Sequence, residues 1–173
     1  MSRIGGWRRV HARRRVTHTA FFYSSEHEYL DGVRAFIGDA VASGSPVLIA
    51  VPGSGLERLR QGLNGELAHV QLADMTELGA NPARIIPAIR AEIEAHPGQT
   101  VYFVAEPVWA DRPRDELDEA MRHEALINRA FTSEQLHILC PYDVTAVEAP
   151  IIADAERAHR WVSDGEVREL ELQ

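Results

Sequence analysis

The side chains best placed to do chemistry lie in RDELDEAMRHEALINRAF, residues 114–131. Leu117, Met121, Ile127 and Phe131 repeat at the spacing that builds one apolar stripe on a helix. Glu124 and Asn128 fall inside that stripe, and His123 flanks it. Burying a lone carboxylate costs several kcal/mol, so Glu124 needs partners. Two arrangements supply them. Glu124 pairs with an arginine while Asn128 bonds a strand end, or this face lines a cavity and both groups contact a ligand.

A second set of polar groups closes the apolar runs: Tyr23 and Ser24, then Glu106 with Trp109, then Cys140, Tyr142 and Asp143. A carboxylate directly after VYFVA and another after ILCPY are costly unless hydrated, paired or used. Trp109 and Tyr142 offer apolar walls with polar handles. Glu106, Glu124 and His123 form a conceivable acid–base set, with Cys140 as a nucleophile. No nucleophile motif surrounds Cys140, and a cysteine near the end of a buried strand usually packs as an inert group. His18, His123, Glu106 and Asp143 become metal ligands only if they converge, and no H-x-x-x-H spacing links them. The sequence therefore assigns no catalytic residue and no metal, and its cofactor is unknown.

The elements that must position these groups alternate. Apolar runs at 18–24, 45–51, 69–74, 100–107 and 136–142 read as strands covered on both faces. Between the first two, Tyr29, Val33, Phe36, Ile37, Ala40 and Val41 form a helical stripe closed by Gly44. Asn81 and Pro82 open the next clear helix, with Pro87 predicting a kink or a later start. Further helices are predicted over 113–131 and 150–161. The pattern is α/β, a mainly parallel five-stranded sheet with helices on both faces. Ligands of such sheets occupy the crevice at the carboxyl ends of the strands.

VLIAVPGSGLERL, from residue 47, has the outline of a phosphate-binding loop but not its charges. Such a loop needs a lysine and then a hydroxyl residue after its last glycine. Here Leu56 and Glu57 follow Gly55, and the chain contains no lysine. Gly53 and Gly55 are expected to serve the backbone angles of a tight turn. After the first strand, YSSEHEYLDG supplies a serine cap and two first-turn glutamates, with no glycine until Gly32. Neither segment is suited to triphosphate.

At 173 residues the chain is of single-domain length. It has one cysteine, no apolar run of membrane-spanning length and no secretory signal, which predicts a cytoplasmic protein. Six arginines and no acid lie in residues 1–17. The other 12 basic residues face all 26 acids, a net of −14 over 18–173. The expected organisation is a basic, disordered arm over 1–17, a core over 18–162 and a polar, fraying tail over 163–173. One basic arm without a second patch is thin ground for nucleic-acid binding.

Taken in order, HTAFFYSSEHEYLDGVRAFIGDAVASGSPVLIAVP, ADMTELGANPARIIPAIR, AEPVW and RHEALINRAF…LCPYD resemble the MEDS family, over about residues 18–160. The family is a sensory domain of methanogens and methylotrophs, found also in actinobacterial regulators. The resemblance implies a RecA/KaiC-like core without a phosphate loop that senses a small molecule, hydrocarbon derivatives among the candidates. It implies a role in signal transduction or in transcription and sigma-factor regulation, through a separate regulatory protein or self-association as a homo-oligomer, since no output domain follows. The candidate ligand set is His18, Tyr23, Glu106, Trp109, His123, Glu124, Asn128, Cys140, Tyr142 and Asp143; the family's recurring motif positions fall here on these residues and on Glu28, Asp74, Thr76, Asn81 and Pro107. The alternatives are a small α/β enzyme using Glu106, Glu124 and His123, or a pure interaction module.

Overall fold

The computed structural model of the protein describes residues 4–170. Five parallel strands form where the apolar runs predict them: β1 (Val16–Tyr23), β2 (Val47–Val51), β3 (Gln71–Asp74), β4 (Val101–Ala105) and β5 (Leu136–Asp143). Two more strands extend the sheet, which corrects the expected five to seven. β6 (Trp161–Ser163) lies parallel to β1, and β7 (Val167–Glu169) turns back antiparallel to β6. The order is β3-β2-β4-β5-β1-β6-β7. Each added strand has three residues, too few to show a period in sequence. The polar turn between them contains Gly165 at φ 112°, which a side chain would strain. Residues 163–170 of the expected tail thus include a strand, while 171–173 lie outside the described residues.

Helices cover both faces. On one face pack α1 (Ile4–His11), α2 (Glu26–Ser43) and α3 (Gly53–Leu63). On the other pack α4 (Met75–Leu78), α5 (Ile85–Ala95), α6 (Arg114–Ala130) and α7 (Ala149–Ala158). The α2 stripe is buried as expected at Tyr29, Val33, Phe36, Ile37 and Ala40, and Gly44 closes it at φ 68°. Pro87 sits in the first turn of α5, which begins only at Ile85 after a 3-10 turn over Pro82–Arg84.

The expected use of Gly53 and Gly55 is corrected as well. Neither has a positive φ, and β2 passes through Pro52 straight into α3. Their smallness serves close packing instead. A Cβ on Gly55 would stand 3.1 Å from Val51 Cγ2, and one on Gly53 would stand 3.1 Å from Asp74 Oδ2.

The expected disordered arm is also partly ordered. Trp7 of α1 is buried edge-on against Phe36, and His11 stacks on His137 of β5 with ring centroids 4.0 Å apart. Trp7 and His11 stand one helical turn apart, and this aromatic pair anchors a segment whose arginines dominate its composition. Arg14 pairs with Glu169 of β7 at 3.1 Å. Residues 1–3 lie outside the described set.

Candidate functional site

Because side chains alternate along a strand, His18 of β1 and Cys140 and Tyr142 of β5 all face α6 and α7. Glu124, on the inward face of α6, meets them. His159, just past the end of α7, completes the group. His18, Glu124, Cys140 and His159 are all buried, Glu124 to 1% exposure and His159 to 0%. Glu124 Oε2 lies 3.1 Å from His18 Nε2 and 3.1 Å from His159 Nε2. Cys140 Sγ lies 3.4 Å from His18 Nε2. Of the two arrangements open to Glu124, pairing with an arginine is replaced by two imidazoles.

The surrounding acceptors fix how those imidazoles are protonated. Asn128 Nδ2 donates to the Ala158 carbonyl at 2.6 Å. Its Oδ1 is therefore the atom 3.2 Å from His18 Nδ1, and that ring nitrogen carries the proton. His159 Nδ1 likewise donates to the Ala155 carbonyl at 2.7 Å. In the neutral rings both Nε2 atoms then present lone pairs to one carboxylate oxygen. His159 Nε2 is close to that oxygen but makes no well-aligned hydrogen bond, and the buried Tyr142 hydroxyl makes none either.

Burial favours a neutral Glu124 carboxyl; once a proton on Nε2 makes His159 or His18 a donor and a cation, their hydrogen bonds and charge outweigh burial and hold the group well below the usual carboxylate range. Burial and the neighbouring His159 ring lower the His18 pKa despite Glu124. Burial, then the Glu124 charge, push the Cys140 thiol well up. By itself Cys140 is thus a protonated thiol and a poor nucleophile.

Asn128 was expected on the inward stripe. It is exposed, at the rim, and reaches inward only with its amide. Beside it opens a cleft of about 340 Å³, lined by His18, Asn128, Phe131, Ala158, Arg157 and Trp161 among others. This cleft lies beside Val16, toward the start of β1, rather than over the carboxyl edge of the sheet.

A different cluster occupies the carboxyl edge, on the opposite face. Glu106, 5% exposed, accepts from Tyr29 Oη at 3.5 Å. Arg58 lies over the Tyr29 ring at 4.6 Å. Burial raises the Glu106 carboxyl to about 8; Arg58 opposes the rise and Asp143 adds to it. Burial, then Glu106, also raise the phenol of Tyr23.

The ten expected site residues therefore divide. His18, Glu124, Asn128, Cys140 and Tyr142 assemble on one face, and Tyr23, Glu106 and Asp143 gather on the other. His123 leans toward Glu119 at 3.6 Å, outside both groups. Trp109 stacks on Arg112, whose guanidinium is 4.5 Å from the ring centroid and donates to the Pro107 and Gly79 carbonyls. The proposed acid–base trio of Glu106, Glu124 and His123 does not converge. Sequence reasoning missed His159, Tyr29 as a polar partner, and Arg58. His159 had a signal, since Ile151, Ala155 and His159 fall four apart on one stripe of α7.

The mostly parallel α/β sheet with helices on both faces is of the RecA/KaiC-like type. It resembles the Pyrococcus horikoshii OT3 protein PH0250 with a TM-score of 0.62 and 9% identity, over 95% of this chain and 91% of that one. A solved ATPase domain matches with a TM-score of 0.55 and 9% identity, over 91% and 73% of the two chains. The KaiC-like protein PH0186 from Pyrococcus horikoshii OT3 matches with a TM-score of 0.52 and 12% identity, over 84% and 69%. At these identities the likeness concerns the fold alone. The family model of the methanogen/methylotroph, DcmR sensory domain matches residues 17–160, and the chain belongs to this MEDS family. No curated protein matches the chain. Among the described residues, no helix is long and apolar enough to cross a membrane.

Proposed function

We propose that this domain is a non-hydrolysing cytoplasmic sensor that binds a small organic molecule in the cleft beside His18 and Asn128. The observation that carries the reading is continuity: a cleft open to solvent ends on the two residues that enter the buried Glu124 network. Phe131 and Trp161 give it apolar walls suited to a hydrocarbon derivative, and Asn128 gives it a polar anchor. The family's sensory role supports the assignment.

The reading without hydrolysis has its own support. The chain has no lysine, and Glu57 stands where a phosphate loop places its hydroxyl residue. At the start of α2, Glu28 Oε2 accepts from the Ser24 amide at 2.8 Å, placing a carboxylate where a phosphate would approach. Ligand binding shifts the α7–β6 junction between two arrangements and so alters the surface offered to a separate regulatory protein, in signal transduction or transcription. The shift is limited to the difference in affinity for the two states.

Thermal unfolding against a panel of small hydrocarbon derivatives tests this. A true ligand at 100 times its Kd stabilises by about 2.7 kcal/mol. Thr132 is exposed and also lines the cleft, so Thr132→Trp should fill it and abolish the gain without lowering the unliganded Tm. A panel that never moves the wild-type Tm, or measured ATP turnover, would overturn the proposal.

A further inference from the structure

We propose that His18, Glu124, Cys140 and His159 form a closed binding site for a divalent transition metal of the zinc type. This inference does not depend on the ligand reading above.

The four side chains each offer one donor atom, and all four atoms lie within 4.8 Å of one another. Metal–nitrogen and metal–oxygen bonds of about 2.0–2.1 Å, with a metal–sulfur bond of about 2.3 Å, give a tetrahedron with edges of about 3.3–3.7 Å. The Oε2–Nε2 and Sγ–Nε2 distances of 3.1 Å and 3.4 Å lie close to that range. The remaining donor pairs lie within 4.8 Å, so side-chain rotations that draw them together close the polyhedron.

The hydrogen-bond inventory supplies an independent argument. Both imidazoles have their Nδ1 protons committed outward, to Asn128 Oδ1 and to the Ala155 carbonyl. Three electron-rich atoms, two Nε2 and one carboxylate oxygen, therefore converge in a buried space. The Cys140 thiol can donate to one of them and the buried Tyr142 hydroxyl, beside Glu124, to one more at most. His159 Nε2, fully buried, points into the cluster without an aligned hydrogen-bond partner. A cation at the centre satisfies every lone pair at once and converts the Cys140 thiol to a thiolate, releasing its proton. The outward Nδ1 contacts are the kind that orient histidine ligands in metal sites. Two imidazoles, one thiolate and one carboxylate make a borderline set suited to Zn2+ or Co2+. The donors come from β1, α6, β5 and the α7–β6 junction, so one ion would tie four elements together.

The test uses the full chain without an affinity tag, unfolded in denaturant with chelator and refolded with Zn2+, with Co2+ or with no metal. The expected results are about one tightly held metal per chain and a higher Tm for the Zn2+ form. The Co2+ form should show the intense visible bands of a tetrahedral site and a thiolate-to-cobalt charge-transfer band. Cys140 is the chain's sole cysteine, so that band reports it directly, even if Cys140→Ser fails to fold. Asn128→Ala, which removes no donor, should weaken metal affinity about 10–100-fold. Identical Tm values with and without metal would overturn the site and leave a proton-shared His–Glu–His network. So would Co2+ binding with no charge-transfer band, since that locates the ion on other histidines.

Discussion

Glu124 and Glu106 are both buried, on opposite faces of one sheet, yet they sit on opposite sides of the usual carboxylate range. Burial pushes each toward its neutral form. Around Glu124, two imidazoles 3.1 Å away reverse that push once an Nε2 proton makes them donors and cations. Around Glu106, Arg58 is the cation, but it lies over the Tyr29 ring, and Asp143 works against it, so burial prevails and the carboxyl rises to about 8. The same residue type at the same depth is thus an anion on one face and a carboxylic acid near neutrality on the other. The proton donors and charges beside each carboxyl decide which.

The largest expected effect breaks the Glu124 side. Glu124→Ala removes the acid that faces two buried imidazoles and should cost about 3–5 kcal/mol in denaturant unfolding. A cost under about 1 kcal/mol would mean that the network contributes little. The pH dependence of the two acids is opposed. The stabilisation from Glu124 is present above the unfolded-state value of 4.5 and is lost as pH falls toward its depressed folded value.

Glu106 behaves in the reverse way. Below pH 4.5 it is neutral in both states. Between 4.5 and about 8 only the unfolded chain ionises, so stability declines as pH rises and the full penalty holds above 8. Glu106→Gln should therefore match the wild type near pH 4 and exceed it at pH 9 by up to about 5 kcal/mol. Urea unfolding at the two pH values checks the sign, and a variant weaker at pH 9 would refute the assignment of a raised carboxyl.

Asn128→Ala should cost about 1–2 kcal/mol, because it releases His18 Nδ1 and the Ala158 carbonyl together. Faster amide exchange at the α7–β6 junction should accompany the loss. The smallest effect is expected from Tyr29→Phe, about 0.5–1.5 kcal/mol through one long hydrogen bond. Because that bond lowers the Glu106 pKa, its removal should raise it further, readable from the Glu106 carboxyl carbon shift in NMR titration.

How much of this was legible in the sequence follows from the length of each signal. The five long strands and α6 were readable because an apolar run of four or more residues, or a stripe over several turns, leaves little choice of period. Glu124 stood out for the same reason, as an acid in an apolar stripe. Asn128 lies at the edge of that stripe, and periodicity alone could not separate edge from centre. β6 and β7 carried no period to read, and the arginines around Trp7 and His11 hid two anchoring side chains in a basic composition. The union of His18, Cys140, Glu124 and His159 spans more than 140 positions of chain and becomes visible only once β1, β5, α6 and α7 are brought together.

The Arg14–Glu169 pair has a practical consequence. It laces the segment entering β1 to the closing hairpin, with Arg14 also 5.6 Å over the Trp161 ring. Trp161 is at the same time a wall of the cleft. A domain or label fused after β7 would therefore leave from the corner that holds the proposed ligand cleft. In the proposed reading, occupancy of that cleft has a short route to whatever is attached.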